Sequence, residues 1–145
     1  MLIIGIGNPD RGDDAAGILV GRRLKEQGID ALEFGGTALD LIDLWESATR
    51  TVVIDAMLSG GAPGEVRVWD TPIMAFPKGS FCCSTHSIDL AAIIELARVL
   101  DRLPKKLTIY GIAAAQFTPG TPPSPEVLTA VKSVADQIFR MEIPA

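Results

Sequence analysis

The side chains in this sequence best suited to hydrolytic chemistry are Asp14, with Asp13 beside it, Asp55, and His86, the single histidine among 145 residues. Carboxylates and imidazole are ordinary ligands for a divalent first-row metal. Two carboxylates and one imidazole also leave a coordination position open, as metal-assisted hydrolysis requires. No local HExxH spacing fixes their geometry, and each residue has a plainer use. Asp13 can cap a helix, Asp55 can form a turn, and His86 can cap the helix that follows it. Cys82 and Cys83 are a weaker candidate: thiolate catalysis needs a nearby base, which His86 could supply. Unpaired cysteines are more often small apolar fillers, and adjacent ones do not reach unstrained disulfide geometry.

Asp14, Asp55 and His86 are far apart in the chain, so the elements around them decide whether they meet. Residues 2–6 form a short apolar run ending at Gly7-Asn8-Pro9, which predicts a buried strand entering a loop. Asp13 is expected to cap a helix carrying Ala16, Ile18, Leu19 and Leu24, with Gly28 as its stop. A second strand is expected over 31–34, followed by a helix capped by Thr37 and carrying Leu39, Leu41, Ile42 and Leu44. Residues 51–55, Thr-Val-Val-Ile-Asp, are β-branched and apolar until the last, which predicts a central strand closed by Asp55. Residues 64–69 alternate, with Val66 and Val68 on one face, as an antiparallel edge strand does.

Residues 70–84 read as a long loop. Ser84 or Thr85 is expected to open a helix towards Leu100, with Ile88, Ala91, Ala92, Leu96 and Val99 as its apolar stripe. A last strand follows over 107–112. Ser124-Pro125 then has the form of a helix start, cap first and proline next, for a helix carrying Val127, Val131, Val134, Ile138 and Phe139. This alternation predicts a three-layer α/β/α sandwich around a mostly parallel twisted sheet with an antiparallel edge strand, formed by residues 1–145 as a single domain. Ligands of such sheets bind beyond the carboxyl ends of the strands. That rim is where Asp14, Asp55 and His86 are all expected.

Composition narrows the chemistry. The chain is 48% hydrophobic with a net charge of -5, and its thirteen basic residues are scattered among eighteen acidic ones. Phosphate backbones are bound by clustered Lys and Arg, so nucleic acid is disfavoured as a partner. No signal peptide or membrane-length apolar run is present, which points to the cytoplasm and away from a membrane. Gly5-Ile6-Gly7 begins like a dinucleotide fingerprint, but Asp10 stands at the third glycine position and would repel a pyrophosphate. No nucleotide cofactor is expected.

With these residues laid out, the chain resembles the hydrogenase maturation peptidases. The similarity runs in order through Gly5-Ile6-Gly7-Asn8, Asp13-Asp14 with Gly17, Gly35-Gly36-Thr37, Val52 to Ala56, and Ser84-Thr85-His86. It continues through Tyr110-Gly111-Ile112, Phe117 to Gly120, and Ser124-Pro125-Glu126-Val127. The resemblance implies an α/β/α fold and a metal held by Asp14, Asp55 and His86. It implies an endopeptidase acting on the precursor of a nickel-iron hydrogenase large subunit, removing a carboxyl-terminal extension after nickel insertion. The nickel would come with the substrate. Asp13 would then be a carboxylate free to orient the attacking water.

Two departures stand out. Asp14 occupies a position often filled by glutamate, and Ala113-Ala114-Ala115 stands where many relatives carry a glutamate or glutamine. Two rival readings are a non-catalytic hydrogenase assembly chaperone and a peptidyl-tRNA hydrolase. The latter also begins Gly-x-Gly-Asn-Pro but needs an early histidine and a basic surface, and no histidine precedes His86.

Overall fold

Three apolar segments, too rich in β-branched residues to favour helix, form the centre of one sheet. They are β1 (Leu2–Ile6), β3 (Arg50–Met57) and β5 (Lys106–Ala113), seen in a computed structural model that describes residues 1–58, 61–71 and 89–142. The short β2 (Leu32–Phe34) flanks β1, and β4 (Val66–Asp70) flanks β5, giving the order β2-β1-β3-β5-β4. All neighbours run parallel except β4, which pairs antiparallel with β5 from Val66↔Ile112 to Asp70↔Thr108. The alternating 64–69 segment is therefore the antiparallel edge its pattern predicts.

Alternate residues of the central strands feed two cores. Ile3, Val52, Ile54 and Ile112 pack under α1 (Ala16–Glu26) and α4 (Pro125–Glu142). Ile4, Val53, Met57 and Ile109 pack under α2 (Ala38–Trp45) and α3 (Leu90–Val99) on the other face. The three-layer sandwich follows from this division. Thr37 caps α2 in a reciprocal capping box with Asp40. Trp45 is fully buried and its indole Nε1 donates to the Arg102 carbonyl at 3.1 Å, which ties α2 to the chain beyond α3.

Three local expectations need correction. The described part of α3 starts at Leu90, capped by the Asp89 side chain; Ser84, Thr85 and Ile88 lie outside the described residues. Its buried stripe is Leu90, Ile93, Ile94 and Ala97, while Leu96 and Val99 are 40% and 82% exposed. Both stripes satisfy helical spacing, and the one with two isoleucines and a leucine removes more apolar area from water. Secondly, β3 does not close at Asp55. Ala56 and Met57 continue the ladder against Ile112 and Ala113, so Asp55 lies within the strand, opposite Gly111. Thirdly, Asp13 does not cap α1. It lies inside a 3-10 turn, Gly12–Ala15, that leads into the helix, and neither Arg11 nor Ala15 makes a side-chain cap.

Candidate active site

From β1 the chain leaves to one side through α1 and β2, then returns across β1 to enter β3. The strand order thus reverses between β1 and β3, and the carboxyl ends of these two neighbours form the crevice in which doubly wound sheets hold ligands. Asp14 follows β1, and Asp55 lies near the end of β3.

Glycines let the two connections come close. Gly17, in the first turn of α1, has no room for a Cβ: one would collide with the carbonyl oxygens of Ile54 in β3 and Ile6 in β1. Gly7, with φ +147°, likewise leaves no space for a side chain against the Asp14 carbonyl. The backbone of the 3-10 turn and of α1 therefore rests directly on the strand ends. Asp14 is brought in with it and is only 5% exposed, while Asp55 is 2% exposed.

Burial pushes the Asp55 carboxyl well above the ordinary carboxylate range, and the neighbouring charge of Asp14 pushes it further; the Ala56 backbone opposes the shift. Burial also raises Asp14, against the opposing pull of the Arg11 charge and a hydrogen bond with the Asn8 backbone. Two like-charged groups withdrawn from water are relieved either by taking up a proton or by gripping a cation. As a donor set the pair fits a divalent metal. Asp14 and Asp55, predicted on one rim from distant parts of the chain, are brought together. Among the described residues no group of three or more His, Cys, Asp or Glu is placed to hold an ion. His86, Cys82 and Cys83 lie outside the described residues.

Asp13 is placed differently from its neighbour. It is fully buried, and its carboxylate accepts four hydrogen bonds from the β5–α4 connection. Ser124 N donates to Oδ1 at 2.6 Å; Ala115 N, Gln116 N and Ser124 Oγ donate to Oδ2 at 2.7, 3.2 and 2.9 Å. The Asp13 backbone N–H also donates to the Gln116 carbonyl at 3.0 Å. Both oxygens are thus engaged, Oδ2 by three donors and Oδ1 by one. Ser124, read from the sequence as a helix cap, is thus a partner of Asp13. Arg11 and the Ser124–Asp13 contact went unnoticed in the sequence. Arg11 had a local signal, being a cation three residues before Asp14, but nothing in the sequence pairs positions 13 and 124.

The fold is that of a doubly wound α/β protein, with a buried acidic pair at its strand-order switch. The chain belongs to the hydrogenase maturation protease family, whose model matches residues 18–141. That span includes Asp55 and His86, while Asp13 and Asp14 precede it. The chain is similar along 96% of its length to the hydrogenase 2 maturation protease of Escherichia coli, at 27% identity over 88% of that protein. A hydrogenase expression/formation protein, HupD, of Bradyrhizobium diazoefficiens is also 27% identical, over 96% of this chain and 77% of its own. Among solved structures, the NiFe hydrogenase maturation protease HybD from Thermococcus kodakarensis superposes with a TM-score of 0.72 at 26% identity, covering 97% of both chains. The Escherichia coli hydrogenase maturating endopeptidase HybD shares the fold, with a TM-score of 0.76 over 97% of this chain and 90% of its own.

Proposed function

We propose that this chain is a cytoplasmic endopeptidase that removes the carboxyl-terminal extension from a nickel-iron hydrogenase large-subunit precursor once nickel is in place. The observation that supports it best is the buried pair Asp14 and Asp55 at the strand-order switch, in a chain of a maturation protease family. Nickel belongs to the substrate in this reading. Asp14, Asp55 and His86 are the side chains that would grip it. A bound divalent ion supplies Lewis-acid polarisation of a carbonyl or water.

The protein's own contribution is orientation and charge. Asp14 and Asp55 carry raised affinities for protons, so an incoming cation both draws them into their charged forms and fixes the substrate against them. A carboxylate oxygen left out of ligation then accepts the proton of the attacking water and returns it to the leaving amine as the C–N bond breaks. Asp13 is not assigned that task, because its oxygens are already engaged. This arrangement makes cleavage wait for nickel: without the ion, the ligands have nothing on the precursor to hold.

The test incubates purified protein with nickel-loaded and nickel-free precursor and follows the loss of tail mass. Removal from the loaded form alone is the expected result. Equal cleavage of both forms overturns the metal-gated scheme, and binding without any cleavage supports the chaperone reading instead.

A further inference from the structure

Asp13 and Asp14 are consecutive residues of one 3-10 turn, and successive side chains of such a turn point about 120° apart. One carboxylate therefore fixes the direction of the other. Asp13 reaches the β5–α4 connection, more than a hundred residues along the chain, and is held there by four donors at 2.6–3.2 Å. The same two connections are joined by backbone bonds on either side: Gly12 N to the Thr121 carbonyl at 3.1 Å and Gly120 N to the Asp10 carbonyl at 2.8 Å. Gln116 stiffens the far side, its Oε1 accepting from Thr118 N at 2.8 Å and Thr121 Oγ1 at 3.0 Å. Gly12, at φ +54°, packs against that side chain, whose amide end a Cβ would displace.

We infer that Asp13 is a positioning residue: its carboxylate clamps the β1–α1 connection to the β5–α4 connection and so sets Asp14 beside Asp55. It touches neither substrate nor ion. Burying a carboxylate is costly unless every acceptor site is filled. Here the filling groups are neutral backbone N–H groups and one hydroxyl, whose placement depends on the fold of the distant connection. An amide of the same shape does not serve, because in either orientation its NH2 would face a backbone N–H, Ser124 N on one side or Ala115 N and Gln116 N on the other. In its consequence for a cation site the inference rests on Asp14 and Asp55 being ligands.

The experiment uses the full-length protein as wild type, Asp13→Asn and Ser124→Ala, with Co2+ as the probe. Cobalt absorption reads affinity and ligand geometry in protein verified as folded by circular dichroism. Amide hydrogen exchange reads the 3-10 turn without any ion. Asp13→Asn is expected to weaken Co2+ binding about ten-fold or more and alter its spectrum, as loss of an outer partner does. Amides of Gly12–Ala15 should exchange at least about ten-fold faster, while those of β1 and β3 keep wild-type protection. Ser124→Ala, which removes one donor of four, should shift both readings the same way by less, and it decides the matter if Asp13→Asn does not fold. Wild-type affinity and spectrum in a folded variant overturn the inference, because a merely structural role would leave them unmoved. If wild-type protein itself binds no Co2+, the ligand reading fails instead. Exchange then decides for Asp13, with unchanged rates at Gly12–Ala15 overturning the clamp.

Discussion

Asp55 lies within range of the Asp14 charge while both are withdrawn from water, so burial first and Asp14 second hold the Asp55 carboxyl well above its usual range. A raised folded-state value works against the charged form. The stability this group contributes is complete below its ordinary value of 3.8 and is lost as pH rises through the raised value. In metal-free protein, Asp55→Asn should therefore stabilise the fold near neutral pH, by about 1 kcal/mol or more, or about 4 °C in melting temperature. The gain should shrink as pH falls towards 4. Thermal melts of both proteins across that range give the answer, and a gain that does not depend on pH would contradict the burial argument.

The same shifts predict how an ion binds. Ligands must be deprotonated, and both carboxyls hold protons more tightly than usual. Co2+ binding should release protons and weaken as pH falls from neutral into the acid range. Calorimetry in buffers of different ionisation heat counts the released protons, and a buffer-independent heat would show that none is released.

Processing should depend on the trio individually. Asp55→Asn and His86→Ala are each expected to reduce precursor cleavage by at least about a hundred-fold, since misplacing one reacting group by an ångström already costs that much. Circular dichroism checks that the fold survives, and mass spectrometry of the precursor reads the cut. A variant that cleaves at the wild-type rate removes its residue from the site.

Gly17→Ala tests the close packing that seats Asp14. Its methyl group would press on the carbonyls of Ile6 and Ile54, both backbone atoms in paired strands. A loss of about 1–3 kcal/mol in urea unfolding is expected, with Co2+ affinity reduced as well because α1 must shift. Unchanged stability would mean that the helix start is free to move.

The parts of the fold with one dominant signal were legible in the chain. β1, β3 and β5 are apolar runs bounded by turn residues, Thr37 caps α2, and Ser124-Pro125 opens α4. Parallel pairing then placed Asp14 and Asp55 at one edge without any contact being known. Where two patterns fit equally, choice depended on packing. The stripe with Leu96 and Val99 in α3 has the same spacing as Leu90, Ile93 and Ile94, and only the facing sheet selects between them. Asp55 looked terminal because the β-branched run stops there, yet Ile112 and Ala113 carry the ladder past it. Asp13 resembled a cap because caps are local, whereas its real partners are joined to it only by the completed fold.

The tie between Asp13 and Ser124 also has a meaning for biosynthesis. A ribosome makes Asp13 early, but the groups that anchor it follow more than a hundred residues later, in the connection before α4. A nascent chain halted before position 124 lacks two of the four donors, so the turn that carries Asp13 and Asp14 is fully anchored only once Ser124 has been added. Ordering of this amino-terminal turn is thereby deferred until the β5–α4 connection exists.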